Sequence, residues 1–395
     1  MQYSRCGSSR LALLWLLLYL APVAIASENT NKFQSWFPQF RLTFETLLEN
    51  ECSEPYKKYR AGIKDYNNID WMEGGSADSA VRPNFIALPG IPILTFLLFP
   101  QLTQPVVGCL LENKSEFIKA KMSTASVLLG LTPTILVFLG SNTSELAMVA
   151  VVGRRPLLAL LLALGSPSVW MGRAFEIPED PLESLRKKER QLHYAAPVGR
   201  TRMMINALEY LLAIASVVNI AMLDWELGSK AVCTFMPESS LFAMLWGLLV
   251  IPIHGLGVVL LRSQVQRPKK PDEEGLEQQQ GQVRLVAWLS KLPANMFAYA
   301  RRQIQVPSTL QALQVEVSPK RKREIFCSWI LSTSVLVHII FGTLVLSGIL
   351  FVGTRDAFQV VARFAVSVLA CRSIMLFEIS VMRQAFNMEH GSVVS

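Results

Sequence analysis

Apolar residues in this chain gather into long continuous runs. They show neither the alternation of a half-buried strand nor the narrow stripe of a soluble amphipathic helix. After an apolar N-terminal stretch, six runs follow at 123–140, 156–171, 205–223, 241–261, 326–352 and 357–379. A helix needs about 20 apolar residues to cross a hydrocarbon layer roughly 30 Å thick. The last four runs meet that length, whereas the first two fall short and read as a re-entrant pair. A further apolar stretch, 85–111, contains Pro89, Pro92, Pro100 and Pro105. Four prolines oppose a regular helix, so whether this stretch spans stays open. The pattern predicts an all-α fold, a polytopic transmembrane helical bundle. The membrane region covers 85–261, and two C-terminal spans lie within 325–380, followed by a tail at 381–395.

The N-terminal stretch has the three parts of an export signal. Arg5 and Arg10 supply positive charge, residues 11–20 are apolar, and Ala24 and Ala26 form a small-x-small site. Cleavage after Ala26 leaves a short luminal segment, 27–84, rich in Trp and Tyr. Two basic loops set the orientation. One covers 173–202, and the other covers 262–324 and ends on Lys320, Arg321, Lys322 and Arg323. Positive charge stays cytosolic, so an odd number of crossings must precede residue 173. Either 85–111 spans, giving seven spans, or the runs at 123–140 and 156–171 together cross once; two crossings there would instead put Arg186-Lys187-Lys188 in the lumen, against the charge rule. Within the second loop, the Pro-, Glu- and Gln-rich stretch 266–282 predicts disorder. Leu285, Trp288, Leu289 and Leu292 then share one helical face, which suits either the inner leaflet or a protein surface.

Composition narrows the function classes. The chain is 51% hydrophobic and 17% charged, against about 25% charged in an average soluble domain. Its net charge of +8 sits beside apolar runs, where it meets anionic headgroups, above all near Lys320 to Arg323. No nucleic-acid module accompanies it. The partner expected from sequence is therefore the lipid bilayer, with protein partners unread. Of six cysteines, Cys52 faces the oxidising side, and Cys109 or Cys233 is its candidate partner, depending on topology. No metal spacing and no cofactor loop occurs, so no metal or cofactor is expected. Asn113-Lys-Ser and Asn142-Thr-Ser are glycosylation acceptors.

Polar groups inside apolar runs are costly and usually face the bundle interior. Asn206, Glu209, Ser216 and Asn219 fall on one side of the third run. His254 follows Pro252 in the fourth, and His338 lies in the fifth. The sixth carries Arg363, Arg372 and Glu378, with one arginine expected to pair with an acid such as Glu209 or Glu378. No hydrolase, zinc-protease or nucleotide motif is present, and no catalytic residue is assigned. The expected role is non-enzymatic, receptor- or scaffold-like. A transporter or channel subunit using Glu209, His254, His338, Arg363 and Arg372 is the alternative, and a membrane-embedded enzyme comes third.

Several phrases carry a family resemblance: Leu128-Leu-Gly-Leu-Thr-Pro133-Thr-Ile-Leu136, Arg154-Arg-Pro-Leu-Leu-Ala-Leu-Leu-Leu-Ala163, Gly165-Ser-Pro167, and Arg372…Glu378…Arg383. Together they resemble a group of uncharacterised multi-span membrane proteins of filamentous fungi, most strongly from Cys109 to about Pro181. The resemblance implies a multi-pass protein with a luminal start and no particular activity. It leaves out the apolar stretch from Phe85 to Val106 and pairs Cys109 with Cys52 on the luminal side. The expected location is a membrane of the secretory pathway, plasma membrane or endomembrane. The N-terminus is then luminal or extracellular and the C-terminus cytosolic.

Overall fold

The computed structural model describes residues 32–62, 102–167, 169, 200–234, 237, 239–266, 316–317 and 322–392. Several expectations lie outside these residues. They are the export signal, the stretch 85–101, the basic loop over 173–199, the Gln-rich stretch, the segment 285–292, Lys320 and Arg321. The side chains of Lys322 and Arg323 also lie outside the description.

The described chain is predominantly helical. In order it contains α1 (Arg41–Glu49), α2 (Ser53–Arg60), α3 (Gln104–Glu112), α4 (Glu116–Leu139), α5 (Thr143–Val151), α6 (Pro156–Gly165), α7 (Arg200–Lys230), α8 (Phe242–Leu248), α9 (Val250–Gln264), α10 (Lys322–Ser347) and α11 (Thr354–Ser392). Four two-residue strands complete it: β1 (Val232–Cys233), β2 (Val265–Gln266), β3 (Glu316–Val317) and β4 (Ile349–Leu350). Five segments are long and apolar enough to cross a membrane: Glu116–Leu139, Met203–Lys230, Phe242–Gln264, Glu324–Ser347 and Thr354–Gln384. Their exposed faces carry rows of large apolar side chains, such as Val127, Leu131 and Phe138 on α4 and Leu336, Ile340 and Leu344 on α10. Lipid solvates such faces without charge.

The helices differ from the apolar runs in instructive ways. α4 is 24 residues long and meets the spanning length alone, because its first turns are polar and the helix outruns its apolar stretch. Over the second run the described helix is short. α6 has ten residues, about 15 Å at 1.5 Å per residue, and it packs with α5 and α9. Among the described residues the main neighbour of α6 in sequence and space is α5, a helix that the apolar runs do not set apart. In the fourth run the break falls between Leu248 and Val250, just before Pro252. Proline has no N–H for the carbonyl four residues back, and its ring crowds that carbonyl; here it belongs to Leu248. Pro133 stays inside α4, where the Thr132 hydroxyl donates to the Leu128 carbonyl at 3.2 Å.

The chain divides into two compact units. The first comprises Met1–Thr134, Ala221–Gly247 and Ile340–Arg363; the second comprises Ile135–Ile220, Leu248–Ile339 and Phe364–Ser395. In the first unit, α1, α2 and α3 form a small cap. Val106 and Leu110, one turn apart on α3, are fully buried in a cluster with Phe33, Trp36, Phe44, Tyr59 and Phe351. The described end of the stretch 85–111 is therefore a nine-residue cap helix. Trp36 stacks on Phe44 with centroids 4.8 Å apart, and Phe351 meets Trp36 and Phe44 edge-on at 5.5 and 5.1 Å. Phe351 reaches this position from a left-handed backbone, φ 67°. Cys52 and Cys109 close the cap with a disulfide, while Cys233 is buried outside that disulfide, its thiol facing the Val345 carbonyl at 4.0 Å.

The cap is stitched to helix ends within the same unit. Lys32 Nζ donates to the Ser239 carbonyl at 2.9 Å. The Gln39 N–H donates to Asp356 Oδ2 at 3.0 Å, and Gln39 Oε1 accepts the Arg355 N–H at 2.9 Å. Gln39 thus satisfies an orphan donor in the first turn of α11. β1 and β4 pair antiparallel, Val232 opposite Leu350. These contacts gather the end of α7, the end of α10 and the start of α11, and the Thr354 hydroxyl adds the start of α4 by donating to the Lys121 carbonyl at 3.1 Å. In the second unit β2 pairs antiparallel with β3, joining both ends of the basic loop 262–324.

Candidate functional site

Among the described residues, the most heavily charged buried constellation lies in the second unit and centres on Arg155. Residues 152–155 turn the chain from α5 into α6. Gly153 is packed close to the Val149 carbonyl and Met382 Sδ, and Arg154 takes a left-handed conformation, φ 55°. The turn leaves Arg154 exposed and Arg155 fully buried. Pro156 then opens α6, at the one helical position where its missing N–H costs nothing.

Asn206 and Glu209 are three residues apart on α7 and so share a face. Arg155 Nη1 donates to Glu209 Oε2 at 2.7 Å and also to Glu378 Oε1. Its Nη2 donates to Asn206 Oδ1. The guanidinium also lies over the Tyr210 ring, 5.3 Å from the centroid. Glu378 is fully buried and Glu209 is 5% exposed. One fixed positive charge therefore faces two carboxyl groups. Glu209 Oε1, Glu378 Oε2 and Arg155 Nε have no hydrogen-bond partner among the described residues. With both acids ionised the cluster carries one surplus negative charge, which a low-dielectric interior opposes strongly. A proton held by one carboxyl would balance it.

The other residues singled out from sequence are distributed rather than convergent. Arg363 pairs with Glu226 at 2.8 Å, and Arg372 with Glu145 at 2.5 Å. This corrects the expected pairing, because Glu209 and Glu378 are taken by Arg155. Glu145 also accepts the Asn142 N–H at 3.1 Å, forming a capping box at the start of α5. Asn219 Nδ2 donates to Ser367 Oγ at 2.8 Å. His338 Nε2 lies 3.2 Å from the Pro167 carbonyl. His254 is buried and its Nδ1 has no partner among the described residues. Asn113 is exposed beside the disulfide.

Sequence reasoning missed Arg155, Glu145 and Glu226 as partners. The signal for Arg155 was its position directly before a ten-residue apolar helix, together with two unmatched acids in the later runs. Among the described residues no group of three or more His, Cys, Asp or Glu could hold a metal ion. Gly165 marks close packing of α6, α7 and α11, since a Cβ there would lie 2.8 Å from Cys371 Sγ and 2.9 Å from Ser216 Cβ. No family model, curated protein or solved structure matches this chain, so the functional reading rests on its own residues.

Proposed function

We propose that this protein is a polytopic integral membrane protein of the secretory pathway, built on five spans. It is non-enzymatic and receptor- or scaffold-like, and it presents a disulfide-closed cap on the luminal or extracellular side. The observation that carries this reading is how polar groups are spent. Arg155, Arg363 and Arg372 are tied into ion pairs with Glu209, Glu378, Glu226 and Glu145, and the folded cap is stitched to helix ends by named hydrogen bonds. Side chains consumed this way hold a bundle together. In this reading the α5–α6 hairpin enters the bilayer without crossing. One crossing by α4 then leaves the loop 173–202 cytosolic, α7 and α8–α9 return the chain for the second basic loop, and α10 and α11 leave the C-terminus cytosolic. The headgroup contacts sit near Lys320 to Arg323.

One observation favours a second reading, a proton-linked transporter: the surplus carboxylate in the Arg155 cluster. Buried ionisable groups of this kind form proton relays in pumps and transporters. Reconstitution into liposomes separates the two. The scaffold reading expects no pH-driven flux across vesicles that contain the purified protein. A flux that is present in the native protein and lost in Glu378→Gln would replace it with the transporter reading. Extraction of native membranes at alkaline pH tests the common premise, since a protein released into the soluble fraction is not an integral one.

A further inference from the structure

We infer that Asn113 carries an N-linked oligosaccharide whose first sugars lie in the open groove beside it, and that Asn142 stays unmodified. The inference rests on the luminal placement of the cap proposed above.

The two acceptors are structurally unlike. Asn113 follows the last turn of α3, and both it and Ser115 are exposed. Its Nδ2 donates to the Cys109 carbonyl at 3.1 Å, and a glycosylated amide keeps one hydrogen for that bond. Cys109 is joined to Cys52, so the compartment that oxidises this pair also holds Asn113. Asn142 is the N-cap of α5. Its Oδ1 accepts the Ser144 N–H at 3.2 Å, and its own N–H is held by Glu145. Thr143, the middle residue of that acceptor, is buried. Between the two asparagines runs α4, about 36 Å long for 24 residues. Acceptors at opposite ends of one spanning helix cannot both face the lumen, and the disulfide selects Asn113.

The groove supplies the second half of the inference. It measures about 470 Å³, lies wholly within the first unit, and counts Asn113 among its lining residues. Leu42, Leu47 and Ile118 give it apolar wall, while Asn50 and Glu51 give it polar wall. A pyranose has an apolar C–H face and a hydroxyl edge, so this mixed wall suits it. Leu42 is 79% exposed, an apolar surface that a tethered sugar would cover at no cost in translational freedom.

Full-length protein from a eukaryotic secretory host provides the test. Complete deglycosylation should increase its electrophoretic mobility by a single glycan. That shift should vanish in Asn113→Gln and Ser115→Ala and persist in Asn142→Gln. No shift, or a shift lost only in Asn142→Gln, overturns the inference. Thiol alkylation with and without reductant separates the causes. An intact Cys52–Cys109 bond without a glycan refutes the site and leaves the luminal cap standing. Reduced cysteines together with a glycan on Asn142 refute the luminal cap itself. For the groove, trimming to one N-acetylglucosamine should preserve the thermal midpoint, and complete removal should lower it. Equal midpoints overturn the groove as the resting place.

Discussion

At Arg155 one guanidinium answers two carboxyl groups, so removing the cation and removing an acid are opposite perturbations. Arg155→Ala leaves Glu209 and Glu378 facing each other without a partner, and breaking a buried pair this way costs ~3–5 kcal/mol. Glu378→Gln removes the surplus charge and keeps an acceptor, so the thermal midpoint in detergent should hold or rise. Equal losses in the two variants would show that charge balance does not govern the cluster. Lys114 offers a residue-level pH dependence. Burial lowers its ammonium from 10.5 to about 8, although the Phe44 ring, 4.7 Å away, and the Thr43 carbonyl both favour the charged form. Because the folded pKa lies below the unfolded one, the unfolded chain binds more protons between pH 8 and 10.5. Cap stability should therefore rise with pH across that window. Native protein compared with Lys114→Met by thermal melts at pH 7.5 and 10 isolates this contribution, and identical pH profiles would refute it.

Among the elements, close packing of side chains onto glycine backbone recurs, at Gly165 and at Gly342. A Cβ at Gly342 would lie 2.3 Å from Trp246 Nε1, so α10 presents a flat patch on which the indole of α8 rests. Gly342→Ala should cost about 1–3 kcal/mol through overpacking. Trp246→Leu in the same chain should recover part of the loss, and strict additivity in a double-mutant cycle would argue against direct contact. The cap depends on a covalent closure as well. Its disulfide joins cysteines 57 positions apart, and constraining a loop of that length is worth about 4 kcal/mol in the chain-entropy account. Cys109→Ser should lower the thermal midpoint and impair export. Native stability and surface delivery in that variant would mean that the aromatic cluster suffices alone.

For the whole molecule, the decisive quantity is the parity of crossings. Five spanning-length helices place the start of α4, the end of α7, the end of α10 and the start of α11 with the cap in one unit. With the cap outside, the basic loop 262–324 and the C-terminus are cytosolic. Protease added to sealed, right-side-out microsomes, whose cytosolic face is exposed, should cleave within 267–282, and a glycan acceptor appended after Ser395 should stay unmodified. Protection of the loop would reverse the orientation, and modification of the tail would remove α11 from the membrane. Replacing Lys320, Arg321, Lys322 and Arg323 together by Gln should weaken binding to anionic vesicles, since each basic residue near such a surface contributes about 1 kcal/mol. Unchanged binding and orientation would rule out that contact.

Helix content and four of the five spanning helices were legible in the sequence, because lipid demands unbroken apolar length and that demand is local. Their ends were less so: α7 and α11 continue well past their apolar runs into polar turns, where hydrogen bonding within the helix needs no apolar side chain. The sequence also marked Glu209, Arg363, Arg372 and Glu378 as groups that must find partners. It did not choose those partners. Arg155 meets Glu209 and Glu378 across separations of 54 and 223 residues, and no periodicity encodes such distances. The same holds for α6, whose apolar run falls short of a span and whose partners, α5 and α9, only the packing reveals. Cost is written in the chain residue by residue. Compensation depends on which helices become neighbours, and that is a property of the packed molecule alone.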